Sequence, residues 1–249
     1  MKFVAFLDVL GFKALLDNNS IEYIEEIFND VFTNLDNREL SGETATICNG
    51  EYYSSADLSI QMISDSIIIW TKDDNRCSLA VLVDTCCNLL RSCLEKGLPL
   101  RGGISVGSLS TINTETSENS RLKVSSVIGD GITKAHDLEK KQKWMGCIID
   151  HACYEHIRAD SVHFGDYQRR VLESYNVPIG DDTQPYKALN WANWNSENSV
   201  EEIEIMINEK FSAHNKSIDS AKIQLKIRNT VNFFRYVKEN DIFVAEEIR

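Results

Sequence analysis

The chain has 249 residues, 43% of them hydrophobic, with 3 prolines and a formal net charge of −12. That length buries a full core as one large domain or one domain with an appendage, and the composition excludes a disordered chain. The acidic balance excludes the broad basic footprint of a nucleic-acid or anionic-membrane surface, but leaves room for a local basic pocket that takes a phosphate ligand.

Lys2–Leu10 reads as a buried strand that carries Asp8 inside an apolar run, three positions before Gly11. An unpaired buried charge is costly, so an acid placed there implies something for it to bind. Leu16–Leu35 holds Ile21, Ile24, Ile27, Phe28, Val31, Phe32 and Leu35 at spacings of three and four, one face of an amphipathic helix. Leu58–Ile63 and Ile67–Trp70 read as two strands joined at a tight turn, Ser64-Asp65-Ser66. A second helix, Ser78–Glu95, ends at Gly97-Leu98-Pro99, and Leu100–Val106 is the next strand. Ser110–Ser120 has the Ser/Thr/Asn/Glu composition of an exposed loop. A short strand, Ser125–Ile128, is broken by Gly129-Asp130-Gly131 and leads into a helix from Ile132 to Gln142, then a strand at Gly146–Asp150. This order predicts an α+β fold with a mostly antiparallel sheet and packed helices.

Beyond Trp194 the character changes. Val200–Phe211 reads as an acidic amphipathic helix and Ser220–Glu239 as a more basic one. Residues 1–195 are thus expected to form the main domain, with 196–249 a C-terminal helical extension packed on it. The seven cysteines include adjacent Cys86 and Cys87 and no Cys-x-x-Cys pair, which predicts reduced thiols in a cytosolic protein. The N-terminus lacks a signal-peptide layout and no apolar run approaches a membrane span, so a soluble, cytoplasmic protein without membrane insertion is expected.

The chemistry centres on Asp8 and Asp65. If their strands are neighbours, both carboxylates reach one edge of the sheet. Two such groups repel unless a proton or a cation lies between them, and hard oxygen ligands favour magnesium or manganese. The alternative is a helix-capping Asp8 and an ordinary turn residue at Asp65. Val9-Leu10-Gly11-Phe12-Lys13 is a short turn into a helix whose amides can cradle phosphates. Lys13 either reaches a phosphate or is a solvated lysine at the helix start. A phosphatase with Asp-x-Asp on its first strand is excluded, because position 10 is leucine.

These residues resemble a family. Asp8-Val9-Leu10-Gly11-Phe12 is similar to the first metal motif of class III nucleotidyl cyclases, and Ile63-Ser64-Asp65-Ser66 to their second metal-binding hairpin. Leu100-Arg101-Gly102-Gly103-Ile104-Ser105-Val106-Gly107 resembles the strand that follows. Ser126-Val127-Ile128-Gly129-Asp130-Gly131-Ile132-Thr133-Lys134-Ala135 falls at the family's later helix start. The finer resemblance is to the Pycsar pyrimidine cyclases of bacterial antiphage defence. It rests on Ala135-His136-Asp137-Leu138-Glu139-Lys140, on Ile148-Ile149-Asp150 and on Tyr186-Lys187-Ala188-Leu189-Asn190-Trp191.

The resemblance implies a ferredoxin- or palm-like cyclase fold that converts UTP or CTP to the 3′,5′-cyclic monophosphate and diphosphate. It implies two divalent ions, Mn2+ or Mg2+, held by Asp8, Asp65 and the Val9 carbonyl, with Gly11, Phe12 and Lys13 on the phosphates. It further implies a homodimer with its sites at the interface and a product read by a separate effector. Where the wider family has an asparagine and an arginine, this chain has Thr133 and Asp137. The missing cation then falls to Arg101, Lys134, His136 or Lys140, though an ordinary intrachain salt bridge explains Arg101 equally well. The base-selecting positions align with Gln61 and Ser126, whose amide and hydroxyl both donate and accept, which suits uracil or cytosine. Four rivals stay open: a nucleotide-binding dimer that does not cyclise, a purine nucleotide cyclase, another palm-type nucleotidyl enzyme, and a purely structural domain.

Overall fold

The computed structural model describes residues 1–35, 45–48, 51–115, 123–158, 170–192 and 198–240. A seven-stranded sheet organises them. Its strands are β1 (Lys2–Val9), β4 (Ser59–Ile63), β5 (Ser66–Trp70), β6 (Leu100–Gly107), β9 (Gly146–Ile149), β10 (Val171–Ile179) and β11 (Asp182–Leu189), in the order β10-β11-β9-β6-β1-β5-β4. Only β6 and β9 run parallel; every other pair is antiparallel. The α+β, mostly antiparallel architecture is therefore as the sequence predicts.

Alternation along β1 assigns the two faces. Phe3, Ala5, Leu7 and Val9 enter the main core, together with Leu79, Leu82 and Leu89 of α3 (Arg76–Glu95). Val4 joins Ile68 and Trp70 on the opposite face, with Phe6 and Ile132 packed against them. Ile132 belongs to α4 (Asp130–Lys141), which covers that face. By length and composition α3 is apolar enough to cross a membrane, contrary to the sequence expectation, yet it lies inside the fold as its core helix.

Glycine sets how closely α4 lies on the sheet. A Cβ at Gly103 of β6 would stand 2.5 Å from the Ala135 carbonyl oxygen and 2.6 Å from Leu138 Cβ. Gly103→Ala should therefore lift α4 and cost about 1–3 kcal/mol, as overpacking does. A denaturant midpoint equal to that of the parent protein would refute this close approach.

Three local expectations need correction. The stretch Leu16–Leu35 is not one helix but two, α1 (Phe12–Asn18) and α2 (Ile21–Leu35). Asn19 breaks them: it turns extended, and its side-chain amide donates to the carbonyls of Leu15 (2.9 Å) and His214 (2.8 Å). A polar side chain that satisfies the helix end competes with helix continuation. Ser110–Glu115 is not a loop but strand β7, paired antiparallel with β8 (Lys123–Ile128) in a separate ribbon; the rest of the expected loop, 116–120, lies outside the described residues. Polar composition hid this strand, because pairing partners rather than an apolar face define it. Cys77 is disulfide-bonded, whereas Cys86, Cys87, Cys93, Cys147 and Cys153 are buried thiols. The bridge sits in the first turn of α3, beside the hairpin of β2 (Ala45–Cys48) and β3 (Glu51–Ser54). That hairpin, helix α5 (His151–Arg158) and the β10–β11 hairpin are additions to the elements the sequence predicts.

The C-terminal helices α6 (Val200–Ser212) and α7 (Ala221–Glu239) share the main core through Ile203, Ile207, Ile227, Val231 and Phe233. Phe233 stands edge-on to Trp144 at 4.7 Å and stacks on Trp191 at 5.7 Å.

Candidate functional site

Asp8 is the second-last residue of β1, in register with Ser66 on β5 and Arg101 on β6. As an even-numbered residue of β1 it shares the α4 face with Val4 and Phe6. Asp65 lies in the two-residue turn between β4 and β5, where Ser64 takes the left-handed conformation such a turn requires (φ 57°). The Val9 N–H donates to the Asp65 carbonyl at 2.9 Å, which staples this turn to the end of β1. The structure thus brings together the two acids that the sequence singled out.

Three further groups complete the cluster. Arg101 places Nη2 3.6 Å from Asp8 Oδ2, donates through Nε and Nη2 to the Glu139 carboxylate, and donates through Nη1 to the Gln142 carbonyl at 2.9 Å. Glu139 is only 3% exposed. Gln142 is buried and fully used: its amide donates to the carbonyls of Gly102 (2.7 Å) and Leu138 (2.9 Å), and its Oε1 accepts from Trp144 Nε1 (2.8 Å). This scaffold fixes the guanidinium beside Asp8. The fifth group, Lys226 of α7, exerts a charge interaction on both Asp8 and Glu139.

The electrostatics follow from burial. Desolvation pushes the Asp8 carboxyl up to about 6; repulsion from Glu139 and Asp65 adds to this, and Arg101 and Lys226 oppose it. Burial also raises Glu139, against the pull of Arg101. Three carboxylates against Arg101 and Lys226 leave one surplus negative charge, which suits a cation.

Among the described residues no group of three acid, histidine or cysteine side chains is placed to hold a metal, and Glu139 is committed to Arg101. The protein donors that would hold a divalent ion are then the Asp8 and Asp65 carboxylates, with the Val9 carbonyl that the resemblance adds. One or two carboxylates plus substrate phosphates is the usual magnesium arrangement, so the donor set fits.

The remaining candidates are distributed differently. Gly11 opens α1 in the left-handed conformation (φ 81°), a position that favours glycine. Phe12 packs edge-on against Phe28 at 6.1 Å, so its side chain serves the α1–α2 contact. Lys13 is 87% exposed and pairs with Asp17 at 2.7 Å, the solvated alternative. Of the four cations considered for the missing arginine, Lys134 pairs with Asp130 (2.7 Å), Lys140 pairs with Asp137 (2.8 Å) and His136 packs edge-on against Phe6 (5.0 Å). Only Arg101 touches the carboxylates. Gln61 lies on edge strand β4, Ser126 on the β7–β8 ribbon, and Thr133 is exposed on α4. Among the described residues none of these three hydrogen-bonds to Asp8 or Asp65 within the one chain.

Sequence reading missed the roles of Glu139, Gln142 and Lys226. One signal was available: Gly131, Ala135 and Glu139 recur at intervals of four on the buried face of α4, so an acid stood on an apolar stripe.

No protein-family model and no curated protein matches the sequence. Solved structures do match. That of a bacterial light-regulated adenylyl cyclase superposes with a TM-score of 0.50 at 14% identity, covering 84% of this chain and 56% of that one. The fold is that of a class III nucleotidyl cyclase domain. The adenylyl cyclase CyaB from P. aeruginosa (TM-score 0.49, 14% identity, 76% of this chain and 93% of that one) is also similar. So is the guanylyl cyclase Cya2 (TM-score 0.48, 14% identity, 76% and 89%). Identities of this size speak to the fold alone.

Proposed function

We propose that this protein is a pyrimidine nucleotide cyclase that converts UTP or CTP to the 3′,5′-cyclic monophosphate with release of diphosphate. The observation that carries the reading is the convergence of Asp8, Asp65 and Arg101 at one end of a cyclase-type sheet. Asp8, Asp65 and the Val9 carbonyl would hold two divalent ions, manganese or magnesium. When bound, such ions favour ionisation of the ribose 3′-hydroxyl and neutralise the triphosphate. The 3′-oxygen attacks the α-phosphorus, and the bond to the diphosphate oxygen breaks. For such a transfer the protein mainly positions groups and balances charge. Arg101 does both: it orients Asp8 and offers positive charge beside the phosphates.

The pyrimidine assignment rests on Gln61 and Ser126, whose side chains can donate to and accept from the edge of uracil or cytosine. The resemblance supports a homodimer with composite sites, in which Ser126 and Thr133 would reach the partner's nucleotide; within one chain neither hydrogen-bonds to Asp8 among the described residues. Two large apolar side chains on the Ser126 ribbon, Ile112 and Ile128, are 42% and 51% exposed and fit a contact between copies. The resemblance assigns the cyclic product to a separate effector in antiphage defence.

The assay is purified protein with Mn2+ and each of UTP, CTP, ATP and GTP, with chromatographic detection of cyclic nucleotide and diphosphate. Cyclic UMP or CMP is the expected product. A purine product would overturn the base assignment, and no product from any of the four would overturn the enzyme. One observation favours a second reading, a nucleotide-binding dimer that does not cyclise: position 137 is an acid, and the neighbouring Lys134 and Lys140 are each occupied by a carboxylate. Tight nucleotide binding without diphosphate release would select that reading.

A further inference from the structure

The C-terminal helix α7 docks at the end of the sheet where the acids stand. Thr230 Oγ1 accepts the Met145 N–H at 3.0 Å, and the Asn229 side chain donates to the Lys143 carbonyl at 2.8 Å. Lys143 and Met145 immediately precede β9, whose first residue, Gly146, is in register with Arg101; Arg101 is in register with Asp8. Lys226 lies three and four residues before these two anchors and therefore shares their helix face. Its own carbonyl accepts from Thr230 Oγ1 at 2.8 Å, which ties this turn of the helix to the anchor. The row Asp8–Arg101–Gly146 thus runs across three strands, and Lys226 exerts a charge interaction on two of its members, Asp8 and Arg101.

Four other lysines near the candidate site or on its helices are already occupied. Lys216, buried beside Gly11, donates to the Gly97 carbonyl at 2.6 Å. Lys13, Lys134 and Lys140 have carboxylate partners on their own helices. Lys226 is half-buried, and among the described residues its ammonium has no hydrogen-bond or ion-pair partner. Burial and the nearby Arg101 lower its pKa to about 8, so the group still carries its proton at neutral pH. Arg101 is divided among Glu139, Asp8 and the Gln142 carbonyl. A polyanion arriving at this end of the sheet would find the shared guanidinium and the Lys226 ammonium, with positive charge from Lys143 and Lys222 acting on the same place.

We propose that Lys226, supplied by the C-terminal helix, binds the phosphate chain of the substrate alongside Arg101 in the same polypeptide that carries Asp8 and Asp65. This rests on reading the site as one that takes a nucleoside triphosphate. It makes the C-terminal extension part of the binding site. It also places a phosphate-binding cation where neither Asp137 nor its neighbours on α4 provide one. A cation in this position attracts phosphate and repels a bare metal ion from Asp8, and the two effects have opposite signs.

That opposition defines the test. Calorimetric titration of wild-type, Lys226→Met and Lys226→Arg proteins would use tripolyphosphate in the presence of Mn2+, and Mn2+ alone. Methionine keeps the aliphatic stem and removes the charge. Lys226→Met should weaken tripolyphosphate binding about ten-fold, the usual scale for a charge-assisted contact, while binding Mn2+ alone at least as tightly as wild type. Lys226→Arg should restore tripolyphosphate binding to within about three-fold of wild type. Unchanged tripolyphosphate affinity in Lys226→Met overturns the proposal, as does equal weakening of both ligands, which would mark a merely structural role. Wild-type protein that fails to bind tripolyphosphate overturns it too. Lysine-dependent tripolyphosphate binding without cyclic product from any nucleotide would leave this site standing and sink the cyclase. Normal cyclase turnover by Lys226→Met would do the reverse.

Discussion

Asp8→Asn should abolish cyclase turnover, by on the order of a thousand-fold or more, and at the same time raise the melting temperature of the metal-free protein at pH 7.5. The two effects have one cause. Asp8 is an acid placed where burial and its neighbours Glu139 and Asp65 resist its charge, and its carboxyl is held up to about 6. In the unfolded chain the same group ionises near 4. Between those values the folded protein keeps a proton that the unfolded chain has released, so stability falls as pH rises through this window and is level above it. The stabilisation is fully present below about 4 and gone above about 6. Asparagine has no proton to lose. Its advantage over the parent should be absent near pH 4, grow to pH 6, and then hold at roughly 1–3 kcal/mol, or a few degrees for a chain of this size. Thermal unfolding of both proteins in EDTA from pH 4 to 8 measures this. Parallel profiles would mean that Asp8 is not the strained acid described here. Asp65→Asn should likewise eliminate turnover while the protein remains folded, since its backbone carbonyl still holds the Val9 N–H.

The second large effect is at Arg101. Arg101→Met should cost about 3–5 kcal/mol, because it leaves the buried Glu139 carboxylate without its partner. That corresponds to a fall in melting temperature on the order of 10 °C. Adding Glu139→Gln removes the stranded charge, so the double variant should recover at least half of the lost stability. It should not recover turnover, since the charge beside Asp8 and the phosphates is still missing. A double-mutant cycle read by denaturant unfolding, with cyclase assays alongside, separates the two roles. If Arg101→Met melts with the parent protein, the ion pair is not what holds α4 and β6 together. If the double variant regains turnover, Arg101 is a structural residue only.

The legible parts of the site were those written in local sequence. Asp8 stood out because an apolar strand seldom tolerates an acid, and Asp65 because a tight turn between two apolar runs exposes its side chain. Gly11 was marked by the turn after β1, and the structure shows the left-handed backbone that the turn uses. Lys13 was misleading for the opposite reason: next to a phosphate-like turn it looked functional, but helix geometry places Asp17 one turn away to take its charge. Glu139 and Lys226 were not legible as partners of Asp8. They lie 131 and 218 residues further along the chain, and sequence spacing says nothing about which helix face meets which sheet end. The β7 strand was missed because its residues are polar and its pairing partner, not its composition, makes it a strand.

The sequence by itself determined the first strands of the sheet, the long helices, the mostly antiparallel α+β class and the two acids that define one end of the sheet. These follow from periodicity of 2 or 3.6 residues and from the cost of burying charge, which are properties of short segments. Only the tertiary structure decided what surrounds those acids. Register set Arg101 opposite Asp8, the absence of a side chain at Gly103 let α4 bring Glu139 down to that arginine, and the docking of α7 carried Lys226 to the same place. Each depends on strand pairing or close packing between distant segments, so the charge balance at Asp8 belongs to the assembled fold and not to any one stretch of the chain.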